Sequence, residues 1–298
     1  MKNEKILEVK NLKKYFKLDK HTVIKAVNDI SFDIYKGEIF GLVGESASGK
    51  STTGKSIINI YKPTAGEIFF RGKLISDTKN YRAEEKFIYR NMQIIFQDST
   101  SSLNPRMTIK EIIEEPLVIQ KLYRNKEERL NKVCELMDLV GLDKCYKDKY
   151  PYECSGGQRQ RVGIARALSL NPEFIIADEP IASLDVSIQA QIINLFKKLQ
   201  KEKGLTCLFI SHDLGMVRYV CNRVGVMYHG KIVELAETKE LYKNPIHPYT
   251  KALLSSILVP EPEGNEKRNY MSYNSTIHNI SEEQGQLVEV KEGHFVYC

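Results

Sequence analysis

Residues 44–51 read Gly44-Glu45-Ser46-Ala47-Ser48-Gly49-Lys50-Ser51 and fit G-x-x-x-x-G-K-[ST], the pattern of a loop that wraps nucleotide phosphates. The apolar run Glu38 to Val43 precedes this loop, and Thr52 to Tyr61, with apolar residues at helical spacing, follows it. The loop is therefore predicted to join a strand to the start of a helix, where backbone N–H groups and the helix dipole favour an anion. This context favours a site for a nucleoside triphosphate over a chance match in a Gly/Ser turn.

Each residue type in this phosphate loop has a defined task. Gly44 and Gly49 permit the tight backbone path, Lys50 is predicted to reach the β- and γ-phosphates, and the Ser51 hydroxyl is predicted to bind Mg²⁺. The predicted ATP-binding positions in and beside the loop are Gly44, Glu45, Ser46, Ala47, Ser48, Gly49, Lys50, Ser51 and Thr52.

Length and composition indicate a globular cytosolic chain. It has 298 residues, of which 42% are hydrophobic. It shows no run approaching the ~18 apolar residues of a membrane helix and no signal-peptide core at its start. The six cysteines lack C-x-x-C pairs, so reduced thiols are expected. The net charge of +6 is scattered, so no nucleic-acid partner is expected. We predict that the chain stays in the cytosol unless a partner holds it to a membrane.

The order of the apolar runs predicts an α/β fold with a helical insertion. Residues 1–36 alternate short apolar runs with turns, as an antiparallel β-region does, and the continuously apolar runs 174–177 and 205–210 are typical of buried parallel strands. Three helices are predicted within about 99–171, and Pro116 predicts a break or kink in the first of them. Beyond residue 245 we expect an ordered appendage to about residue 259 and then a loose tail to about residue 285.

Polar residues follow the ends of the predicted strands, where ligands bind to an open parallel sheet. Gln97, Asp178, Glu179 and His212 each follow an apolar run, as Gly44 does. Asp178 suits a Mg²⁺-directed carboxylate that acts through water, and Glu179 suits a general base for the water that attacks the γ-phosphate. His212 suits a contact with that phosphate. These residues are expected to converge on one nucleotide.

Plainer alternatives exist for several of these residues. Asp-Glu-Pro can be a simple helix N-cap, and His212 followed by Asp can be a capping turn. Ser155 and Gln158 fit a capping box that opens the third predicted helix. That box does not explain Gly156 and Gly157 in the first turn, where each glycine costs up to ~1 kcal/mol. Their missing side chains predict that an anion approaches this backbone.

Taken together, these motifs resemble those of the ATP-binding subunits of ABC transporters, over about residues 5–259. The resemblance rests on the order of the phosphate loop, Gln97, Ser155-Gly156-Gly157-Gln158-Arg159, Asp178-Glu179, Ser183-Leu184-Asp185 and His212. It implies an α/β P-loop NTPase (RecA-like) core with an N-terminal antiparallel β-region, an inserted α-helical subdomain at about 99–171 and a C-terminal extension. The implied domains are an ABC nucleotide-binding domain at 1–245 and the extension at 246–298.

The resemblance also implies how the residues act. Two subunits would pair head to tail and trap ATP and Mg²⁺ between them. One subunit would supply Lys50, the metal-site residues Ser51, Gln97 and Asp178, and the catalytic residues Glu179, His212 and Gln97. The other would supply its signature residues Ser155, Gly156, Gly157 and Gln158, with Asp185 bridging the sites. Phe16 is the first choice for stacking on adenine and Tyr15 the second, although either could be strand core.

Two further stretches look like those of oligopeptide/dipeptide importer ATPases. These stretches are 95–106, with Phe96-Gln97-Asp98-Ser99, and 244–254, with His247-Pro248-Tyr249-Thr250. The implied function is ATP hydrolysis that energises peptide import, at the cytoplasmic face of the membrane. The implied partners are a second ABC ATPase subunit, in a heterodimer, two membrane permease subunits and an extracytoplasmic peptide-binding protein.

Three alternatives stay open at this point. Nickel importers share the pattern, so a nickel-importer ATPase is one. A soluble ABC ATPase that acts on nucleic acid or the ribosome is another, although the chain lacks fused ATPase halves, long coiled-coil insertions and zinc-type cysteine pairs. A nucleotide-gated regulator that hardly hydrolyses is the third, and Glu179 argues against it.

Two positions depart from the pattern of these relatives. Cys154 stands where the signature usually has Leu or Phe, and it is apolar enough that we expect the site to work. Some relatives bind an iron–sulfur cluster through a cysteine cluster in the tail. Only Cys298 lies in that region here, so no iron–sulfur cluster is expected.

Overall fold

The computed structural model describes residues 4–19, 21–182, 184–256 and 285–298. Its strands, in chain order, are β1 (Lys5–Lys17), β2 (Val23–Tyr35), β3 (Ile39–Val43), β4 (Ala65–Phe70), β5 (Lys73–Leu74), β6 (Met92–Ile95), β7 (Phe174–Asp178), β8 (Thr206–Ser211), β9 (Arg223–Tyr228), β10 (Lys231–Glu237), β11 (Leu287–Lys291) and β12 (His294–Tyr297). Its helices are α1 (Lys50–Ile57), α2 (Thr78–Asn91), α3 (Ser99–Ser102), α4 (Ile109–Ile119), α5 (Lys126–Leu139), α6 (Gly156–Leu168), α7 (Val186–Lys203), α8 (Leu214–Val220), α9 (Thr238–Lys243) and α10 (Pro248–Ser255).

The strands form two sheets. The smaller sheet has the order β2-β1-β4-β5 and is antiparallel throughout, which agrees with the antiparallel region predicted near the N-terminus. The larger sheet has the order β11-β12-β10-β9-β3-β8-β7-β6. Its strands from β9 to β6 are parallel, whereas β10, β12 and β11 pair in antiparallel fashion. Each residue of β3, β7 and β8 is buried, which explains why these runs are continuously apolar.

The parallel strands position the site because their carboxyl ends lie at one edge of the large sheet. β3 leads into the loop before α1, and β7 and β8 run beside β3 in the same direction. One apolar core lies between this sheet and the helices, and a second lies between this sheet and the small antiparallel sheet. The loops that follow β3, β6, β7 and β8 therefore start from a rigid, buried frame.

The helical insertion lies between β6 and β7 and contains α3 to α6 together with two short 3₁₀ turns, Lys144–Tyr146 and Pro151–Glu153. The predicted break at Pro116 is absent, because α4 continues to Ile119. The buried side chains of Ile112, Ile113 and Leu117 anchor one face of this helix in the core, and Gln120 N donates to the Pro116 carbonyl oxygen at 3.0 Å to close the last turn. Tertiary packing therefore outweighs the hydrogen bond that proline removes.

The C-terminal part of the chain returns to the large sheet. α10 follows β10 and α9, and β12 pairs with β10 through Glu234↔Val296 and Leu235↔Phe295. The sequence did not lead us to expect these strands. The predicted loose tail lies almost entirely outside the described residues. Among the helices of the described ranges, none is both long and apolar enough to cross a membrane.

Candidate active site

The phosphate loop follows a backbone path that requires glycine at two positions. Gly44 has φ 149° and Gly49 has φ 105°. A Cβ atom at Gly44 would lie 2.1 Å from the Met227 carbonyl oxygen, and one at Gly49 would lie 2.1 Å from the Ala26 carbonyl oxygen. Gly49 is also the N-cap of α1, so no side chain of its own covers the first turn of that helix. The loop therefore presents backbone, rather than side chains, at the start of α1, as an anion site requires.

Lys50 lies folded against this loop. Its ammonium group donates to the carbonyl oxygens of Gly44 at 2.8 Å and Glu45 at 2.7 Å, and the residue is only 4% exposed. Burial lowers the pKa of Lys50, while the carboxylates of Glu179 and Asp178 act in the opposite direction. A poorly hydrated cation is thereby held beside the start of α1, where a phosphate oxygen can replace the two carbonyl oxygens as its partner.

Ser51 and Asp178 join the phosphate loop to the end of β7. Ser51 Oγ donates to Asp178 Oδ1 at 2.7 Å, and Asp178 is 1% exposed. Burial raises the pKa of the Asp178 carboxyl, although the hydrogen bond from Ser51 acts in the opposite direction. A hydroxyl and a carboxylate oxygen are hard ligands of the kind that Mg²⁺ takes together with water and phosphate oxygens. The pair therefore fits the predicted metal site.

Glu179 lies at the centre of a second polar group. Gln97 Nε2 donates to Glu179 Oε2 at 2.8 Å, and His212 Nδ1 lies 3.2 Å from the same oxygen. The backbone of Glu179 has φ 47°, in the left-handed region, and its N–H donates to the Ile210 carbonyl oxygen at 3.0 Å. Such a conformation costs on the order of 1–3 kcal/mol, and strained backbone of this kind clusters at active sites. Three residues from the ends of three strands thus meet at one carboxylate, and their predicted convergence on a nucleotide stays a prediction.

A cleft of about 1000 Å³ opens over these residues. Besides the phosphate loop, Gln97 and Glu179, it is lined by part of β2 and by the turn between β9 and β10. The lining residues are Val23, Ile24, Lys25, Ala26, Asn28, Ser46, Ala47, Gly49, Lys50, Ser51, Thr52, Gln97, Glu179, Tyr228, His229, Gly230 and Lys231. The lining is polar and charged where the loop meets Glu179, and β2 adds the apolar side chains of Val23, Ile24 and Ala26.

The two aromatic candidates for adenine stacking lie just behind the β2 side of the cleft. Phe16 pairs across the strands with Ile24, which lines the cleft, but its ring packs edge-to-face on Tyr61 at 5.4 Å. The hydroxyl of Tyr15 donates to Asn28 Oδ1 at 2.7 Å. Within the described part of the chain, neither aromatic ring lines the cleft itself. The stacking role of Phe16 or Tyr15 stays a prediction.

The predicted signature residues lie at the exposed start of α6 and do not line the cleft of their own subunit in the described ranges. Ser155 and Gln158 form the expected capping box, with Ser155 N donating to Gln158 Oε1 at 2.8 Å. A Cβ atom at Gly157 would lie 2.7 Å from Ile188 Cγ2, whereas one at Gly156 would make an ordinary contact. Packing on α7 therefore accounts for the glycine at 157, whereas close approach of an anion stays the prediction for Gly156. Asp185, exposed, is the N-cap of α7.

Comparison with known proteins identifies this arrangement. A family model described as ABC transporter matches residues 27–182. The chain belongs to this family. A second model, described as Oligopeptide/dipeptide transporter, C-terminal region, matches residues 233–284. The predicted family and the predicted subfamily are both confirmed, so the chain is an ABC ATPase that carries the C-terminal region of the peptide transporters.

Curated relatives of this ABC ATPase are similar over almost their whole length. The Oligopeptide transport ATP-binding protein OppF of Bacillus subtilis (strain 168) is 57% identical over 296 residues, which cover 99% of this chain and 96% of the relative. OppF of Streptococcus mutans serotype c is 50% identical, with 98% and 94% covered. The Dipeptide transport ATP-binding protein DppF of Lactococcus lactis subsp. cremoris is 48% identical, with 99% and 94% covered.

Solved structures agree with the predicted fold class. A dimeric post-hydrolysis state of the ATP-binding cassette MJ0796, bound to ADP and Pi, superposes with a TM-score of 0.71 at 31% identity, covering 78% of this chain and 98% of that one. The cbiO1 protein of Clostridium perfringens, part of an ABC transporter complex, gives a TM-score of 0.69 at 28% identity, covering 81% and 92%. The P-loop NTPase core is therefore confirmed, and an ATP site follows from the family.

Sequence reasoning missed one contact of this ABC ATPase. The Glu45 N–H in the phosphate loop donates to the Tyr249 hydroxyl oxygen at 3.1 Å, and Tyr249 is buried at the start of α10. Tyr249 belongs to the stretch 244–254 that indicated the subfamily. That pattern carries no information about its contact, because 204 positions separate the two residues.

Proposed function

We propose that this chain hydrolyses ATP to drive the import of oligopeptides or dipeptides across the cell membrane. The observation that carries this proposal is the extent of the likeness to peptide-transport ATP-binding proteins, which includes 99% of the chain at 57% identity. The C-terminal region of the peptide transporters lies within that span, at residues 233–284. The likeness thus extends beyond the nucleotide core that all ABC ATPases have in common.

The phosphate loop supplies the binding step of the proposed mechanism. Backbone N–H groups at the start of α1 receive the phosphate oxygens, and Lys50 transfers its hydrogen bonds from the carbonyl oxygens of Gly44 and Glu45 to the β- and γ-phosphates. Ser51, Gln97 and, through water, Asp178 would hold Mg²⁺. When bound, this ion would supply positive charge close to the phosphate oxygens.

Glu179 supplies the proposed hydrolytic step. Its carboxylate accepts a proton from the attacking water, or orients that water in line with the γ-phosphate. Gln97 and His212 both approach Oε2, so they hold the carboxylate in one orientation before the nucleotide arrives. His212 is 54% exposed at its side chain and can turn towards the γ-phosphate without leaving a buried site.

The exposed signature supports a head-to-tail arrangement with a second ATPase subunit. Ser155 and Asp185 are exposed and Gly156 to Gln158 are half-buried, and Tyr152 and Val186 nearby in the chain each leave an apolar side chain 72% exposed. A partner subunit would cover this surface and place its cleft against Gly156. The further proposed partners are two membrane permease subunits and an extracytoplasmic peptide-binding protein. The proposed location is the cytoplasmic face of the membrane.

Peptide uptake by cells tests this function. A strain from which the gene is deleted is complemented with the wild type, with Glu179→Gln or with Glu202→Gln. Glu202→Gln is the matched control, because Glu202 is exposed at the C-terminal end of α7. Uptake of a radiolabelled pentapeptide and dipeptide should return with the wild type and Glu202→Gln but not with Glu179→Gln. Normal peptide uptake in the deletion strain would contradict the proposal, and loss of nickel uptake instead would assign the cargo to nickel.

A further inference from the structure

Tyr249 reaches the phosphate loop from the C-terminal extension. The residue lies in the first turn of α10 and is 1% exposed. Its hydroxyl oxygen accepts the Glu45 N–H at 3.1 Å, and its ring lies against Tyr228, with ring centroids 4.3 Å apart. Tyr228 lines the nucleotide cleft. One side chain of the extension thus contacts both the loop and the wall of the cleft.

The contact falls on a peptide group that Lys50 also holds. The amide between Gly44 and Glu45 offers its carbonyl oxygen to Lys50 Nζ at 2.8 Å and its N–H to the Tyr249 hydroxyl. Gly44 has little space to move, since a Cβ there would lie 2.1 Å from the Met227 carbonyl oxygen. Lys50 and Tyr249 therefore fix the two polar ends of one peptide unit in opposite directions.

A buried carboxylate holds Tyr249 in this position. Glu234 is fully buried in β10 and accepts the backbone N–H groups of Ile246 at 2.8 Å and His247 at 3.0 Å. His247 in turn caps α10, with Nδ1 accepting the Tyr249 N–H at 3.1 Å. His294 Nε2 of β12 lies 2.7 Å from the same carboxylate. The start of α10 and the C-terminal hairpin thus rest on one anchored group.

We propose that Tyr249 is a positioning residue for the phosphate loop, through which the C-terminal extension and the nucleotide site stabilise each other. This inference rests on the proposed ATPase function. When a nucleotide binds, the Lys50 ammonium group exchanges its hydrogen bond to the Gly44 carbonyl oxygen for one to a phosphate oxygen. The peptide unit then loses one of its two restraints. The hydroxyl of Tyr249 then keeps the N–H of this peptide in place and prevents the unit from rotating. A loop with its geometry set in advance spends less free energy on ordering when the ligand binds.

Tyr249→Phe tests this role because it removes one oxygen atom and keeps the ring. The matched control is Tyr242→Phe in α9, where the hydroxyl of a half-buried tyrosine donates to the Leu214 carbonyl oxygen and not to the phosphate loop. The probe is MgADP, with its Kd measured by isothermal titration calorimetry, and folding is checked by thermal unfolding without nucleotide. Each variant loses one hydrogen-bonded tyrosine hydroxyl, so a general loss of stability should affect them alike.

We expect Tyr249→Phe to raise the Kd for MgADP about 5- to 10-fold, the usual effect of one lost hydrogen bond, and Tyr242→Phe to leave it within about twofold of the wild type. Equal affinities of Tyr249→Phe and the wild type would overturn the inference, as would equal weakening by both variants. A wild type that does not bind MgADP would instead overturn the proposed ATPase function, and the inference with it.

Hydrogen exchange of the wild type gives a second test that does not depend on any variant folding. If the extension and the site stabilise each other, MgADP should slow the exchange of the α10 backbone amides by at least about threefold. Unchanged exchange in α10, at a MgADP concentration that slows exchange in the phosphate loop, would reject the link.

Discussion

Ser51 Oγ donates a hydrogen bond to Asp178 Oδ1 at 2.7 Å, although 127 positions separate the two residues in the chain. The bond places a hydroxyl from the start of α1 against a carboxylate from the end of β7. Asp178 is almost fully buried, and burial raises its pKa because the ionised form is poorly solvated there. The protein therefore buries a carboxylate whose ionised form is poorly solvated, beside the position where the proposed Mg²⁺ would lie.

Asp178→Asn should stabilise the nucleotide-free protein and weaken the metal-dependent binding of ATP. The amide removes the buried charge and can still accept the Ser51 hydroxyl, so the free energy of unfolding should rise by roughly 0.5–2 kcal/mol. Urea unfolding without nucleotide, followed by titration with ATP in Mg²⁺ and in EDTA, measures both effects. A less stable variant, or one whose ATP affinity depends on Mg²⁺ as in the wild type, would contradict this assignment.

Glu179→Gln should keep nucleotide binding and lose hydrolysis by at least about 100-fold. The amide preserves the size of the side chain and a contact with Gln97, but it cannot accept a proton from water. Phosphate release under steady state and equilibrium binding of a fluorescent ATP analogue separate the two properties. Glu202→Gln serves as the control, and turnover of Glu179→Gln near the wild-type rate would reject Glu179 as the base.

Gly49→Ala should destabilise the whole domain as well as abolish nucleotide binding. The added Cβ would lie 2.1 Å from the Ala26 carbonyl oxygen, at a φ of 105° that alanine rarely adopts, so we expect a loss of about 3 kcal/mol or more. Gly163→Ala in α6 is the control, because within the described ranges its Cβ would meet nothing within 4 Å. Circular dichroism during urea unfolding gives the free energies of unfolding of Gly49→Ala, Gly163→Ala and the wild type. Equal stabilities would show that the loop has another path available.

Gly157→Ala should destabilise the fold by about 1–3 kcal/mol, because its Cβ would lie 2.7 Å from Ile188 Cγ2. In an Ile188→Ala background the same change should cost less than about 0.5 kcal/mol, because the clashing atom is gone. Gly156→Ala should leave stability unchanged or raise it by up to about 1 kcal/mol, and should reduce the ATPase rate of the assembled dimer. Urea unfolding of the variants decides the first point. A cost at Gly157 that persists without Ile188 would refute the packing explanation.

The cysteines should differ sharply in their reactivity with iodoacetamide. Burial raises the pKa of Cys207 and Cys221 far above the usual value, so almost no thiolate forms at pH 8, and both are also out of reach of the reagent. Cys145 and Cys298 are exposed. The carboxylate of Asp143 raises the pKa of Cys145, so its labelling should increase as the pH rises above 8. Mass spectrometry of native and unfolded samples checks this, and labelling of Cys207 in the native protein would contradict the buried β8.

Local patterns in the sequence predicted which side chains lie close together at the site, whereas their catalytic roles stay predictions. Gln97, Glu179 and His212 each follow a strand, and parallel strands bring their carboxyl ends to one edge, so the convergence on Glu179 Oε2 could be expected from the pattern alone. The glycines of the phosphate loop were predicted for the same reason, since the motif itself describes a backbone path. Such inferences need only the order of the elements and the direction of the strands.

Contacts between distant segments could not be predicted in this way. Residue 157 must be glycine because a Cβ there would clash with Ile188 of the next helix. The sequence around residue 157 does not reveal this contact. α4 tolerates Pro116 because its buried face is anchored by the core. The hydrogen bond from the loop to Tyr249 and the pairing of β12 with β10 depend on where the C-terminal extension returns. In each case tertiary packing, and not local propensity, determines the outcome.

The C-terminal hairpin also determines how the large sheet ends. β10 is buried except at its last residue, and β12 occupies the edge that β10 would otherwise present. The outermost strand is β11, which is short, mostly exposed and charged at Glu289 and Lys291. Charged, short edge strands resist pairing with the strands of other molecules. The extension therefore protects the ATPase against edge-to-edge aggregation, and its loss would leave the edge of the buried strand β10 open to pairing with copies of the same protein.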